Sequence, residues 1–187
     1  MSGPQGGLVD VVIALGSNLG DREGTLASAL RSIDAVEGVS VLRASRAFES
    51  VALKLSGADP DAPRYRNAVA IVRTGLEPHA LLDELQRIEA EHGRQRRERW
   101  GDRTLDLDLI AYGDLRLDDE RLVVPHPRAA ERDFVLAPWL DADPGAVLPG
   151  RGPVRELLEA LPDAPTRAQP LGEPLAVERQ PAGGRRP

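Results

Sequence analysis

Apolar and polar positions follow two periods along the chain, one typical of strands and one typical of helices. Apart from Asp10, residues 9–15 are β-branched or apolar, and turn formers follow at 16–20, which predicts a buried strand and a tight turn. From Asp21, a candidate helix N-cap, apolar residues recur at helical spacing until Gly38. Residues 9–38 are therefore predicted to form a strand and an amphipathic helix.

The pattern continues with three more strand-like segments and a second long helix. Residues 39–50, 64–74 and 104–112 have strand character, whereas 51–63 contain Gly57, Pro60 and Pro63 and predict a long loop. Pro78 opens a helical pattern that ends at Gly93. Residues 122–124 are expected to be extended, and 132–140 and 154–161 to form short helices.

This order of elements predicts an α+β fold. Strand, helix, strand, strand, helix, strand is the order of a ferredoxin-like sandwich, with a mainly antiparallel sheet and flanking helices packed on one face. We expect a flexible N-terminus at residues 1–8 and one domain at 9–161. Residues 162–187, rich in Pro, Gly, Ala and Arg, are predicted to be a disordered tail without a catalytic role.

The composition of the chain excludes several classes of function and partner. The net charge of −6 gives no general attraction to nucleic acid or to an anionic membrane, so neither is expected as a partner. The chain has no cysteine, which excludes thiolate catalysis and cysteine-ligated metals. No apolar run approaches the ~20 residues of a membrane span, and we expect a cytoplasmic protein. Lys54 is the only lysine, so a phosphate-binding loop ending in Gly-Lys-Ser/Thr is absent.

Two carboxylates stand out on the last long strand. Asp106 and Asp108 are separated by one residue, so both leave the same face while Leu105, Leu107 and Leu109 point to the other. Their spacing of roughly 6.6 Å along the strand suits magnesium, which prefers a few carboxylates together with phosphate oxygens. For such a pair alone, a polar face that simply meets water is the more common case.

An arginine-rich segment precedes the carboxylates. Arginine binds phosphate oxygens in a bidentate way and stabilises the charge that develops during phosphoryl transfer. The segment also contains Trp100, which could stack on a base or anchor the loop to the core. A solvated loop and a nucleic-acid patch are the alternatives. The arginines are Arg94, Arg96, Arg97, Arg99 and Arg103.

Further candidates lie before and after this region. His126 stands between two prolines that fix its backbone, and Arg132 and Phe134 offer a phosphate partner and a ring for stacking. Tyr65 and Asn67 alternate on one face of the predicted third strand, where a phenol and an amide could hold a flat heterocycle. A turn histidine and ordinary core or strand packing are the structural alternatives.

Taken together, these motifs closely resemble the 6-hydroxymethyl-7,8-dihydropterin pyrophosphokinase family over residues 9–161. The most specific is the run Arg-Trp-Gly-Asp-Arg-Thr-Leu-Asp-Leu-Asp-Leu at 99–109. The others are Leu-Gly-Ser-Asn-Leu-Gly at 15–20, Tyr-Arg-Asn-Ala at 65–68, Gln-Arg-Ile-Glu at 86–89, Gly-Arg at 93–94 and Val-Pro-His at 124–126.

The resemblance implies transfer of the β,γ-diphosphate of ATP to the hydroxymethyl oxygen of the dihydropterin, with release of AMP and with two Mg2+ ions in the site. It also implies the roles of the candidate residues. Asp106 and Asp108 hold both ions, Arg94 and Arg103 assist the transfer, and Tyr65, Asn67 and Phe134 form the pterin pocket. The ATP side comprises Gln86, Glu89, Arg96, Arg97, Arg99, Trp100, Arg121, His126 and Arg132, with Arg96 or Arg97 as a mobile-loop phosphate contact.

The chain departs from the family pattern in its second loop. Where many members carry Thr-Pro-Pro-Leu-Gly, residues 50–57 read Ser-Val-Ala-Leu-Lys-Leu-Ser-Gly, so backbone contacts to the pterin are not carried over there. Residues 51–63 and 94–102 are predicted to close over the substrates, and contact with neighbouring folate-pathway enzymes is a further expectation. The rival hypotheses are a non-catalytic RNA or nucleotide module of the same fold, and a kinase for another heterocycle.

Overall fold

A computed structural model of the chain describes residues 7–54, 57–59, 63–93, 104–162 and 167–176. In chain order the strands are β1 (Val9–Ser17), β2 (Val39–Ala44), β3 (Arg46–Ser50), β4 (Ala52–Lys54), β5 (Gly57–Asp59), β6 (Tyr65–Thr74), β7 (Asp106–Tyr112), β8 (Leu117–Asp118), β9 (Val123–Val124), β10 (Val147–Leu148), β11 (Gly152–Pro153) and β12 (Gln169–Pro174). The helices are α1 (Arg22–Asp34), α2 (Pro78–Glu91), α3 (Asp133–Ala142) and α4 (Val154–Ala160), with a 3-10 turn at Ala129–Glu131.

The main sheet is antiparallel and has β1 near its centre. β1 pairs with β6 on one side and with β7 on the other, and both β2 and β3 pair with β6. β2 and β3 behave as one interrupted strand, because Ser45 between them stays in register with Val69 through its backbone N–H and its hydroxyl. This arrangement confirms the predicted α+β, ferredoxin-like sandwich with its mainly antiparallel sheet.

Helices cover both faces of the sheet. Val11, Ile13 and Leu15 of β1 pack with α1 and α2 in one core. Val12 of β1 belongs to a second core with α3 and α4, in which Trp139 is 3% exposed. The expectation that the helices pack on one face is therefore wrong: β1 is apolar on both sides, which is typical of a strand buried between two layers.

The first helix begins where the sequence predicts. The Asp21 carboxylate accepts a hydrogen bond from the Gly24 N–H at 3.0 Å, as an N-cap does. The buried side chains of α1 are the apolar ones at helical spacing, namely Leu26, Ala29, Leu30 and Ile33. α2 likewise begins at Pro78, so local signals at both helix starts determine the observed boundaries.

Two predicted irregular segments contain strands. In the predicted loop 51–63, β4 and β5 pair antiparallel as a short hairpin, with Ala52 opposite Asp59. In the predicted disordered tail, β12 pairs with β3, and Ala168 just before it is buried. The prediction of disorder is wrong for Gln169–Pro174, because the open edge of β3 provides a partner for the backbone of this segment.

Within the described ranges, the helices are all too short or too polar to cross a membrane.

Candidate active site

Asp106 and Asp108 lie on one face of β7, as their spacing predicts. Asp106 pairs with Gly16 of β1 and Asp108 with Ala14, so both carboxylates are on the face that α3 covers. Leu105, Leu107 and Leu109 are buried on the other face. Both aspartates are partly exposed, which leaves them open to a ligand above the sheet.

Two side chains, Arg132 and His126, lie next to the Asp108 carboxylate. The Arg132 guanidinium donates a hydrogen bond from Nη1 to Asp108 Oδ2 at 3.2 Å, and His126 Nε2 lies 3.9 Å from the same oxygen. The His126 N–H donates to the Ile110 carbonyl at 2.8 Å, which ties this loop to β7 just beyond the aspartates. His126 and Arg132, predicted from sequence as site residues, are thus brought next to Asp108.

His126 is held as a neutral ring. The Arg128 N–H donates to His126 Nδ1 at 3.1 Å, so the proton lies on Nε2, which faces Asp108. Burial lowers the pKa of His126, and the charge of Asp108 raises it only in part because Arg132 and Arg128 oppose that effect. At pH 7 the ring therefore presents one N–H donor toward the aspartate face.

A row of residues connects the two aspartates with the pterin candidates. Asn67 of β6 pairs with Gly16 of β1, and Gly16 pairs with Asp106 of β7. Because neighbouring strands are about 4.8 Å apart, Asn67 and Asp106 lie roughly 10 Å apart on one face. A side chain at position 16 would contact Asn67 Oδ1 at 3.4 Å, so glycine keeps the middle of this row open.

Asn67 has a fixed orientation. Its Nδ2 donates a hydrogen bond to Ser50 Oγ at 2.7 Å, and both residues are buried. Tyr65 lies on the same face of β6 as Asn67, and it pairs with Ser50 of the neighbouring strand β3. Ser50 was not singled out by sequence reasoning, because nothing local to a strand serine indicates its partner 17 residues away.

The N-terminus of α3 carries the other pterin candidate. Phe134 is half-buried, and the Arg132 guanidinium lies 5.6 Å from the centre of its ring, within cation–π range. α3 packs against β6 and β3. Phe134 therefore lies in the helical layer and Asn67 in the sheet, on the face where these two layers pack together.

Glu89 is a buried carboxylate between α2 and β7, which its position in the sequence does not indicate. It is 2% exposed, and its Oε1 accepts a hydrogen bond from the Leu107 N–H at 2.7 Å. β7 ends the main sheet, so Glu89 of α2 takes a backbone donor that would otherwise lack a strand partner. Glu89 therefore binds the backbone of Leu107, the residue between Asp106 and Asp108.

Other predicted residues lie elsewhere or outside the described ranges. Arg121 pairs with Asp83 of α2, and Gln86 is exposed on the same helix. The arginine segment, with Arg94, Arg96, Arg97, Arg99, Trp100 and Arg103, falls in residues 94–103, which the structure does not describe. The roles predicted for these residues stay predictions.

The donor set suits magnesium bound together with a polyphosphate. Among the described residues, no group of three or more His, Asp or Glu side chains is placed to hold a metal ion alone. Two carboxylates on one strand face leave several coordination positions to phosphate oxygens and water, which is how Mg2+ usually binds in nucleotide sites.

Comparisons with known proteins show the family of the chain. The family model described as 7,8-dihydro-6-hydroxymethylpterin-pyrophosphokinase (HPPK) matches residues 12–144. The 2-amino-4-hydroxy-6-hydroxymethyldihydropteridine pyrophosphokinase of Haemophilus influenzae is 40% identical over 156 residues, 83% of this chain and 95% of the relative. Its namesake in Pseudomonas aeruginosa is 41% identical over 152 residues, 81% and 91% of the two chains.

Longer proteins contain a similar region. The mitochondrial folate synthesis bifunctional protein of Arabidopsis thaliana is 42% identical over 132 residues, 71% of this chain and 23% of that protein. The solved Plasmodium falciparum HPPK-DHPS with pterin and p-hydroxybenzoate superposes with a TM-score of 0.63 at 15% identity. It covers 84% of this chain, which spans only 44% of the solved one, and this likeness concerns the fold alone.

Proposed function

Because this chain belongs to the 7,8-dihydro-6-hydroxymethylpterin-pyrophosphokinase family, we propose that Asp106 and Asp108 hold the magnesium of ATP beside a dihydropterin bound over Gly16. The chain is an ATP-dependent pyrophosphokinase of folate biosynthesis. It transfers the diphosphate of ATP to the hydroxymethyl group of 6-hydroxymethyl-7,8-dihydropterin and releases AMP.

The row Asn67, Gly16, Asp106 is the observation that supports this assignment of the site. A pterin is held at its heterocyclic edge by paired hydrogen bonds, which the amide of Asn67 can make, and on its face by an aromatic ring such as Phe134 or Tyr65. The length of the pterin then carries its hydroxymethyl group along the row toward Asp106, where the phosphates are neutralised.

The reaction needs alignment and charge neutralisation rather than a nucleophilic side chain. The hydroxymethyl oxygen attacks the β-phosphorus of ATP, the bond from that phosphorus to the oxygen bridging to the α-phosphate breaks, and the hydroxyl proton is released to water. AMP leaves, and no covalent enzyme intermediate forms. We assign Arg94 and Arg103 to the charge that develops during this transfer.

We propose two Mg2+ ions, both held by Asp106 and Asp108. When bound, the ions supply Lewis-acid neutralisation of the phosphate oxygens. Arg132 restrains the Asp108 carboxylate from the side of α3, and His126 offers its Nε2–H as a donor to a phosphate oxygen at the same place.

The remaining nucleotide contacts are proposals based on the family pattern. Gln86, Arg99, Trp100, Arg121 and one of Arg96 and Arg97 are assigned to ATP. For Glu89, which is almost fully buried, we propose an indirect role through Leu107. The cytoplasm, as the compartment where ATP and the pterin meet, is likewise a proposal.

The function is tested by AMP formation that depends on ATP, Mg2+ and the dihydropterin. Wild type should form AMP only with all three, and Asp106→Ala should reduce turnover by roughly a thousandfold or more without loss of fold, because phosphate neutralisation is lost. The matched control is Asp118→Ala, which removes an exposed carboxylate on the separate strand β8. Magnesium-dependent turnover retained in Asp106→Ala would refute the metal assignment.

We also propose contact with a neighbouring folate-pathway enzyme, since the Arabidopsis thaliana relative is named a folate synthesis bifunctional protein and the similar Plasmodium falciparum chain is named HPPK-DHPS. Analytical ultracentrifugation of the two enzymes together should show a faster species than either alone. Unchanged boundaries at micromolar concentration would argue against this contact.

A further inference from the structure

The C-terminal strap, which we define as residues 167–176, contacts both the start of α3 and the edge of the main sheet. It lies outside residues 12–144, the part matched by the family model. Ala168 is 7% exposed and Leu175 packs against the core beneath α1 and α2. A segment anchored at both ends in this way restrains whatever it touches in between.

One contact of the strap is with the start of α3. The Ala168 N–H donates a hydrogen bond to Asp133 Oδ2 at 2.7 Å. Asp133 is the first residue of α3 and stands between Arg132, which holds Asp108, and Phe134. Next to it, Arg167 Nη2 donates to the carbonyls of Leu158 and Leu161 at 3.3 and 3.0 Å, which fixes the strap against the end of α4.

The other contact is with the edge of the main sheet. β12 pairs antiparallel with β3, with Pro170 opposite Phe48. Phe48 in turn pairs with Asn67 on β6. Beyond β12, the Leu175 N–H donates to the Ser45 carbonyl at 3.0 Å. β3 is thus the one strand between the strap and Asn67. Asp133, which the strap contacts, is the residue before Phe134.

α3 is tied to β3 at both of its ends. At its C-terminal end Asp141 receives hydrogen bonds from the backbone and guanidinium of Arg46, the first residue of β3. At its N-terminal end, within the part of the chain that the structure describes, Asp133 is linked to β3 through the strap. The helix of ten residues is about 15 Å long, and Val135 and Leu136 in its first turn are buried in the second core. Loss of the N-terminal tie therefore removes one restraint on this turn and allows a small shift of Phe134 away from Asn67.

We propose that Asp133, acting through Ala168 of the strap, is a positioning residue for the pterin pocket. This inference rests on the proposed function and deepens it: the bond sets the distance between the sheet side of the pocket and the start of α3. Asp133 does not contact the substrate in this assignment. Its effect appears in the binding of the dihydropterin more than in the chemical step.

The test compares Asp133→Ala, which removes the acceptor, with Ala168→Pro, which removes the N–H donor without changing α3. Each should raise the KM for the dihydropterin roughly tenfold, since a displacement of about 1 Å is costly in a site of this kind, with a smaller change in kcat. Because both break the same bond, the double variant should resemble either single one. Asp133→Asn keeps an acceptor oxygen and should stay close to wild type.

Gln169→Ala is the matched control within the strap, because this side chain is exposed and donates only to the Arg167 carbonyl among the described contacts. Hydrogen exchange should show faster amides in β3 and at the start of α3 in Asp133→Ala and Ala168→Pro, and not in the control. A dihydropterin KM within twofold of wild type in both variants would overturn this inference alone. Absence of AMP formation by wild type would overturn the proposed function as well.

Discussion

At the scale of single residues, Glu89 connects a helix to the strand that carries both aspartates. Its carboxylate is buried and accepts the Leu107 N–H. Glu89→Ala leaves this donor buried without its acceptor and opens a cavity, so we expect the free energy of unfolding to fall by about 2–4 kcal/mol. Urea denaturation measures this loss, and Glu89→Gln, which keeps an acceptor oxygen, should lose less.

The control for Glu89 is Glu91 on the same helix. Its carboxylate pairs with Arg87 at the surface, and pairs of this kind contribute about 0.5 kcal/mol at most. Glu91→Ala should therefore be nearly neutral. If both alanine variants had the same stability, the bond between α2 and β7 would be of no consequence for the fold.

Ser50 fixes the amide of Asn67. In Ser50→Ala the buried Nδ2 of Asn67 loses its acceptor, which should cost about 1–3 kcal/mol of stability. The amide is then free to turn, so the KM for the dihydropterin should rise several-fold. Ser50→Thr keeps the hydroxyl and suits a strand, so it should restore both values. A dihydropterin KM unaffected by alanine would show that Asn67 keeps its orientation without Ser50.

At the scale of elements, α3 covers the second core and contributes buried side chains to it. Trp139 is 3% exposed in the cluster that α3 forms with β1, β6 and α4. Trp139→Ala should lower the free energy of unfolding by about 3–5 kcal/mol. Leu140, only partly buried at the same helix end, provides the control, and Leu140→Ala should cost clearly less in the same denaturation experiment. Equal losses would mean that the helix is not packed as described.

The elements that could be predicted from sequence are those whose signals are local. The N-cap at Asp21 and the proline at 78 determine helix starts, and the alternation around Asp106 and Asp108 determines their common face. β12 could not be predicted in this way. Its sequence holds Pro170, Gly172 and Pro174, which disfavour strands, and it is extended because β3 offers it an edge.

The contacts within the site were beyond prediction for a related reason. Asn67 and Ser50, Leu107 and Glu89, and Ala168 and Asp133 are 17, 18 and 35 residues apart. Each pair forms only when strands or helices from separate parts of the chain have packed. The sequence therefore indicates which groups could perform the chemistry, and the fold decides which groups support them.

At the scale of the whole molecule, ion pairs between carboxylates and arginines connect distant elements and make stability depend on pH. Hydrogen bonds from Arg73 lower the pKa of Asp10, and those from Arg66 lower the pKa of Glu49. Burial raises the pKa of Asp141, but the hydrogen bonds and charge of Arg46 lower it by more. Each of these carboxylates binds its proton less readily in the folded chain than in the unfolded one.

Linkage gives the sign of the effect. A depressed folded pKa contributes stability above the unfolded value, near 3.9 for aspartate and 4.3 for glutamate, and this contribution disappears as the pH falls through the folded value. The urea midpoint should therefore fall steeply below about pH 4. A smaller fall is expected between pH 7 and 5, because the unfolded chain protonates His126 more readily than the folded chain does.

Asp141 is the carboxylate to test, because it accepts three hydrogen bonds from Arg46 and its side chain is only 16% exposed. Asp141→Asn should be less stable than wild type at pH 7, and the difference in unfolding free energy should shrink as the pH falls through the folded pKa of Asp141. Asp114→Asn, an exposed turn carboxylate, is the control. A difference that stays constant down to the acid transition would mean that the charge of Asp141 does not stabilise the junction of β3 and α3.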